Sequence, residues 1–256
     1  MSEADLLAAL PSMTFALMLV VCRVGMVVML LPGLGEIEAP AMVRVGLAVG
    51  ISILIYPHLA DHVASVPDGI AGPGMIVAEL ATGAALGWLA RLPVMALGMA
   101  GALIATLLGL SSVVQPDPAL GGQSTALARL FGLVAPVLIL VSGMYTLPLS
   151  ALAGSYDLVG PGGALPAGDT ADMIVKVVGT TFALALQLSA PFILAGIVWQ
   201  ISVGLLSRIA PQLQAFSVAA PGQILGGMVL LGLLASRLLS TWEAGVSASW
   251  ATLPGS

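Results

Sequence analysis

The sequence predicts an all-α integral membrane protein with kinked and interrupted apolar helices and a C-terminal helical hairpin. Two observations carry that expectation. The first is composition: 59% of the residues are hydrophobic and only 7% charged, against about 25% charged in an ordinary soluble domain. So few charges cannot cover a water-facing surface, which leaves a membrane or the interior of an assembly as the surroundings. The second is the pair of uncharged runs near the end, 177–207 and 209–236, separated only by Arg208. Apolar runs flanking Arg208 and the Pro211-Gln212 pair describe two helices joined by a polar, proline-set turn. Spanning segments should be helical, because hydrocarbon offers no partner to an open strand edge.

A bilayer crossing takes about 20 apolar residues. Runs of suitable character lie at 13–31, 42–57, 76–114, 130–153, 180–206 and 222–240. The second is short. The third would reach about 58 Å as one helix at ~1.5 Å per residue, and Arg91 and Pro93 are expected to break it in two. Prolines 93, 136, 148 and 191 lie inside apolar runs, where a missing N–H favours kinks. Small residues four apart (Gly46/Gly50, Gly83/Gly87, Gly222/Gly226) suggest close helix–helix approach. Arg44, Arg129 and Arg208 fall in the first, third and fifth connections, whereas Glu3, Asp5, Asp61, Asp68, Glu79, Asp157, Asp169 and Asp172 are assigned to the N-terminus and the even ones. The charge rule for orientation then rests on one arginine per loop.

Several function classes drop out. The chain has seven basic and twelve acidic side chains and a net charge of −5, so it offers no basic patch for nucleic acid. Its acidic start lacks the basic region of a secretory leader. Cys22 is the single cysteine and reads as a small core hydrophobe. His58 and His62 flank Asp61 at metal-ligand spacing, but no further histidine completes a set; an interfacial cap after Pro57 is the simpler reading. No nucleophile elbow, phosphate loop or dinucleotide fingerprint is present. No cofactor or enzymatic activity is expected. Glu79 and Arg91 are the ionisable candidates for a proton relay, which normally needs several such groups.

Two features invite a functional reading. Arg23 stands mid-helix, where a charge costs about 2.5–3.5 kcal/mol on insertion scales. It is expected to line a polar path, or to pair within the fold or across a subunit interface, with Glu36 or Glu38 as candidate partners. The segment 109–123 runs from Gly-Leu-Ser-Ser into Pro116-Asp117-Pro118 and the pair Gly121-Gly122. Non-helical backbone near membrane depth occurs where it is buried in protein or lines a cavity. The segment is therefore either a loop that closes a conduit or a plain connection. The stretch 154–172 is the clearest linker.

These residues together resemble the FliR family, called SctT in injectisomes. Arg23 is followed by Pro32-Gly-Leu-Gly and by Pro40-Ala-Met-Val-Arg44-Val-Gly-Leu-Ala, with Pro57 closing the second helix. Gly83-Ala-Ala-Leu-Gly-Trp88 leads through Ala100-Gly101 to Gly109-Leu-Ser and Asp117-Pro118. Ser207-Arg208-Ile-Ala-Pro211-Gln212-Leu precedes Phe216 and Pro221. Gln214 stands where Asn is common in the family, and Gly143-Met144-Tyr145 where many members carry Gly-His.

The resemblance implies a structural and gating subunit of the flagellar type III export apparatus, in the bacterial inner membrane at the flagellar basal body. The alternatives are an injectisome homologue or a multi-pass solute transporter or channel. It implies P-type and Q-type export-gate partners (FliP-like and FliQ-like), FlhB-like and FlhA-like subunits, and exported flagellar proteins as substrates. Residues 1–153 would resemble a P-type subunit and 173–256 a Q-type hairpin. The plug residues would be Leu110, Ser111, Ser112, Val113, Val114, Gln115, Pro116 and Asp117. Arg23, Arg44, Arg208, Pro211 and Gln212 would serve structure or subunit contacts. Helices packed on sister subunits would also explain the short second run and the overlong third.

Overall fold

The computed structural model describes residues 3–59, 71–110, 114–117, 122–209 and 215–256. Among them the order is α1 (Glu3–Leu30), α2 (Ala41–Leu59), α3 (Ala71–Leu107), β1 (Val114–Asp117), β2 (Gly122–Thr125), α4 (Ala126–Ser142), α5 (Thr146–Leu158), α6 (Ala167–Ile209) and α7 (Ala215–Trp250). The fold class is all-α. The strand β1 lies inside the segment 109–123 expected to be non-helical, and β2 begins there and runs two residues beyond it.

Among the described residues, four helices are long and apolar enough to cross a membrane: α1 over Leu10–Leu30, α3, α6, and α7 over Ala219–Trp250. The α4–α5 pair, bent by 74°, makes a fifth if counted as one broken span. The six spans expected from hydropathy therefore become four or five. The apolar part of α2, Ala41–Pro57, reaches only about 26 Å at ~1.5 Å per residue, short of ~30 Å of hydrocarbon. By the same measure the 43-residue α6 extends about 64 Å and the 36-residue α7 about 54 Å.

Two breaks differ from expectation. α3 runs unbroken through Arg91 and Pro93. An interior proline sacrifices a backbone bond, but Leu89, Ala90, Val94, Ala96 and Leu97 are all buried around it and hold the helix. The apolar run 130–153 breaks instead at Gly143–Tyr145. Gly143 has φ +74°, a conformation open to glycine and unfavourable for other residues. Pro148 causes no break because it is the third residue of α5, where the N–H has no helical partner in any case. The α5–α6 connection occupies 159–166, shorter than the expected 154–172, because α5 runs on to Leu158 and α6 begins at Ala167. Arg44, Arg129 and Arg208 lie in end turns of α2, α4 and α6 rather than in the connections.

The chain forms two compact units. The first comprises residues 1–92, 136–178 and 247–256; the second comprises 93–135 and 179–246. In the first, Val20, Val24, Val27 and Val28 of α1 pack with Ala48 and Leu59 of α2, Leu86 of α3, and Leu152 and Tyr156 of α5. Gly83 and Gly87 let α3 close on α1: a Cβ at 83 would stand 2.5 Å from the Arg23 carbonyl oxygen, and one at 87 would stand 2.7 Å from Leu30 Cβ. Gly46 and Gly50 face open space, and of the third expected pair only Gly222 meets a neighbour, Trp199. Gly83→Val is therefore expected to destabilise the α1–α3 contact by about 1–3 kcal/mol, the usual cost of overpacking, whereas Gly46→Ala, with open space at its Cβ, should raise the thermal stability by up to about 1 kcal/mol. Trp250 is fully buried in the same unit and donates Nε1–H to the Ala90 carbonyl at 2.9 Å.

In the second unit α4 packs on α3 at Gly101, where a Cβ would lie 2.9 Å from Phe131 and 3.0 Å from Ala128. α6 and α7 meet at Gly245 against Leu184 and at Gly222 against Trp199. β1 and β2 pair antiparallel in the register Val114↔Thr125 to Asp117↔Gly122. Thr125 then caps α4, its Oγ1 accepting the Ala128 N–H at 3.2 Å.

Candidate functional site

The candidate plug begins where α3 ends. Gly109 adopts φ +75°, which stops the helix in a Schellman-type turn: the Leu110 N–H bonds the Ala105 carbonyl at 2.8 Å and the Gly109 N–H bonds the Thr106 carbonyl at 3.3 Å. Of the residues read as a plug, Leu110 is half-buried at this root. Val114, Gln115, Pro116 and Asp117 form β1. Ser111, Ser112 and Val113 lie outside the described residues. The segment thus leaves one apolar helix, pairs with its own return and enters the next through the Thr125 cap.

Arg23 and Glu79 form the second centre, and both are fully buried. The guanidinium makes a two-pronged contact, Nε to Oε2 at 2.6 Å and Nη2 to Oε1 at 3.0 Å. The partner is on α3; Glu36, one of the two expected partners, lies instead against Arg91 at 3.5 Å. The remaining Arg23 donors reach Val159 O at 3.0 Å, Ser155 Oγ at 3.3 Å, and the carbonyls of Ser155 and Gly160 at 3.4 Å. The carbonyls of Ser155 and Val159 stand at the C-terminal end of α5 and that of Gly160 in the turn after it, and the dipole at a helix C-terminus favours a cation. Glu79 Oε1 also accepts the Gly162 N–H at 2.5 Å. The Tyr156 ring lies under the guanidinium, 4.0 Å from ring centroid to Cζ, a cation–π geometry.

All five guanidinium N–H groups therefore have an acceptor direction, and the charge pair is neutral as a unit. The cluster joins α1, α3, α5 and the turn that follows. The contact to Glu79, 56 residues away, escaped the sequence because neither local spacing nor periodicity links the two positions. Arg91 Nη1 bonds the Leu30 carbonyl at 3.2 Å and so caps α1. Both ionisable groups read as relay candidates are thus engaged in ion pairs, Glu79 with Arg23 and Arg91 with Glu36.

The other candidates are dispersed. Arg44 is in the first turn of α2, with its Nε buried and without a hydrogen-bond partner. Arg208 is exposed in the last turn of α6, the end of a helix that suits a cation. Pro211 and Gln212 lie outside the described residues, as do Asp61 and His62. No group of three or more His, Cys, Asp or Glu poised to hold a metal occurs among the described residues. Sequence reasoning also passed over Gln223 on α7, whose Nε2–H donates to the Leu107 carbonyl at 2.6 Å. An amide within the long uncharged run 209–236 was the available signal.

The fold and these centres define a multi-pass helical membrane protein whose polar chemistry holds helices and a non-helical segment in place. The chain matches the family described as "Bacterial export proteins, family 1" over residues 14–248 and belongs to that family. It is 32% identical to the flagellar biosynthetic protein FliR of Caulobacter vibrioides over 225 residues, covering 88% of this chain and 90% of that protein. Over 79% of this chain and 77% of the relative it is 29% identical to FliR of Escherichia coli. It is also similar to the Yop proteins translocation protein T of Yersinia pestis, 25% identical over 93% of this chain and 91% of that protein.

Proposed function

We propose that this protein is a structural and gating subunit of the flagellar type III protein export apparatus, in which 109–123 closes the export channel when idle. The observation that carries the reading is the route between two apolar helices: α3 stops at Gly109, and Val114–Asp117 pairs antiparallel with Gly122–Thr125 before α4 begins. Membership of the export family supports it. The flagellar assignment follows the FliR relatives, which match at up to 32% identity, above the 25–27% of the injectisome relatives.

In this reading the work is gating and not catalysis. Residues 1–153 act as a P-type-like part and 173–256 as a Q-type-like hairpin. FliP-like and FliQ-like subunits cover the apolar faces, with FlhB-like and FlhA-like subunits adjoining and exported flagellar proteins as substrates. The site is the bacterial inner membrane at the flagellar basal body. The long exposed apolar rows of α6 and α7, including Leu194, Val198, Ile209 and Leu233, suit packing against neighbouring helices as much as lipid. Co-expression with P-type and Q-type partners should convert the protein into a monodisperse complex; a stable protein indifferent to them would count against the assignment. Deleting 111–116 should raise the ionic conductance of membranes carrying the assembled complex while leaving assembly intact. Unchanged conductance would sink the plug role.

A further inference from the structure

The end of α3 leaves its last carbonyls without partners in the helix, and each one can be accounted for. The Ile104 carbonyl accepts the Leu108 N–H at 2.9 Å, while those of Ala105 and Thr106 are taken up by the turn at Gly109. The Leu107 carbonyl is the one that the turn cannot serve. Its partner comes from another helix: Gln223 Nε2 of α7, at 2.6 Å.

The neighbouring contacts come from the same face of α7. Leu108 is buried, and its side chain occupies the position that a Cβ at Gly227 would take. A Cβ at Gly109 would approach Ile224 Cγ1 at 4.0 Å. Three consecutive residues at the root of the segment, 107, 108 and 109, thus meet positions 223, 227 and 224. Residues 223 and 227 are one helical turn apart and share a face. α6 adds a contact from behind, where a Cβ at Gly196 would lie 3.3 Å from Leu107 Cδ2.

We propose that Gln223 and Gly227 are positioning residues for the gate, fixing the point and direction at which the channel-closing segment leaves α3. This rests on the reading of 109–123 as a plug. The chemistry is a single directional bond plus a socket. The bond sets where the last carbonyl points, and the missing side chain at 227 lets Leu108 seat against α7. A shift or rotation of α7 breaks both contacts, so the position of the C-terminal hairpin is transmitted to the gate through its root.

The test is the idle-state ion conductance of membranes carrying the full complex co-expressed with P-type and Q-type partners. Gln223→Leu removes the donor, and Gln223→His keeps a neutral N–H donor at a similar reach. A roughly fivefold rise in leak is expected for Gln223→Leu, the population shift from one net hydrogen bond, with Gln223→His close to wild type. Gly227→Ala should leak as well, because Leu108 must leave its seat. In a background lacking 111–116, Gln223→Leu should add nothing further. Wild-type conductance in Gln223→Leu while the deletion leaks overturns the proposal, as does equal leak in the Leu and His variants. Failure of the Gln223→Leu complex to accumulate assigns the contact to folding and overturns it too. A deletion without leak removes the plug reading itself, and the proposal with it.

Discussion

Arg23→Met is expected to destabilise the protein by about 3–5 kcal/mol, the cost of stranding one member of a buried ion pair. Glu79 would keep the Gly162 N–H but lose both guanidinium bonds in a site with no solvent access. The carbonyls of Ser155, Val159 and Gly160 would lose their cation at the same time. Thermal unfolding of the purified protein in detergent should record the loss, together with poor accumulation in cells. The informative comparison is the double variant Arg23→Met, Glu79→Leu. Removing both charges spares the uncompensated one, so much of the stability should return. Equal losses in the single and double variants would mean that the carbonyl contacts, and not the charge pair, hold α5. A single variant as stable as wild type would remove the cluster from the stability of this unit.

Trp250→Ala should cost a similar amount, about 3–5 kcal/mol, as large aromatic truncations in a packed core do. The indole is fully buried and bonded to the Ala90 carbonyl, so truncation leaves a cavity and an unpaired acceptor. Trp250→Phe separates the two effects: it keeps most of the volume and loses the N–H, for about 1–2 kcal/mol. Limited proteolysis of residues 71–92 and of α5 would report the loss locally. Unchanged protection in Trp250→Ala would show that the end of α7 is dispensable for the first unit.

The fold class was legible because composition alone forbids a soluble surface, and family membership because the Arg23, Pro32-Gly, Gly109 and Arg208-x-x-Pro211-Gln212 signals occur in order. Helix ends were less so. Proline marks a lost N–H wherever it stands, yet the sequence does not say whether packing repairs the loss, as around Pro93, or whether the residue falls in a first turn, as Pro148 does. The observed break needed a residue that tolerates positive φ, and Gly143 supplied it. Gly83 and Gly87 were correctly read as a contact stripe. Gly46 and Gly50 carry the same pattern on an open face, because spacing records what a helix permits and not what approaches it. For the candidate site, the root at Gly109 could be found from local chemistry. Glu79 and Gln223 could not, since their partners lie 56 and 116 residues away.

The interleaving of the two units has a consequence in time. The bond from Trp250 to Ala90 closes across 160 residues. At a synthesis rate of about 5–20 residues per second, the carbonyl of Ala90 waits roughly 8–30 s for its donor. During that interval α1, α2 and the first half of α3 can pack on one another, but the unit they belong to still lacks the piece at 247–256. Its completion is therefore a late event, set by delivery of a distant tryptophan and not by local helix formation. A pause or truncation downstream of α6 would be felt first at the opposite end of the sequence, as a unit that is inserted but not closed.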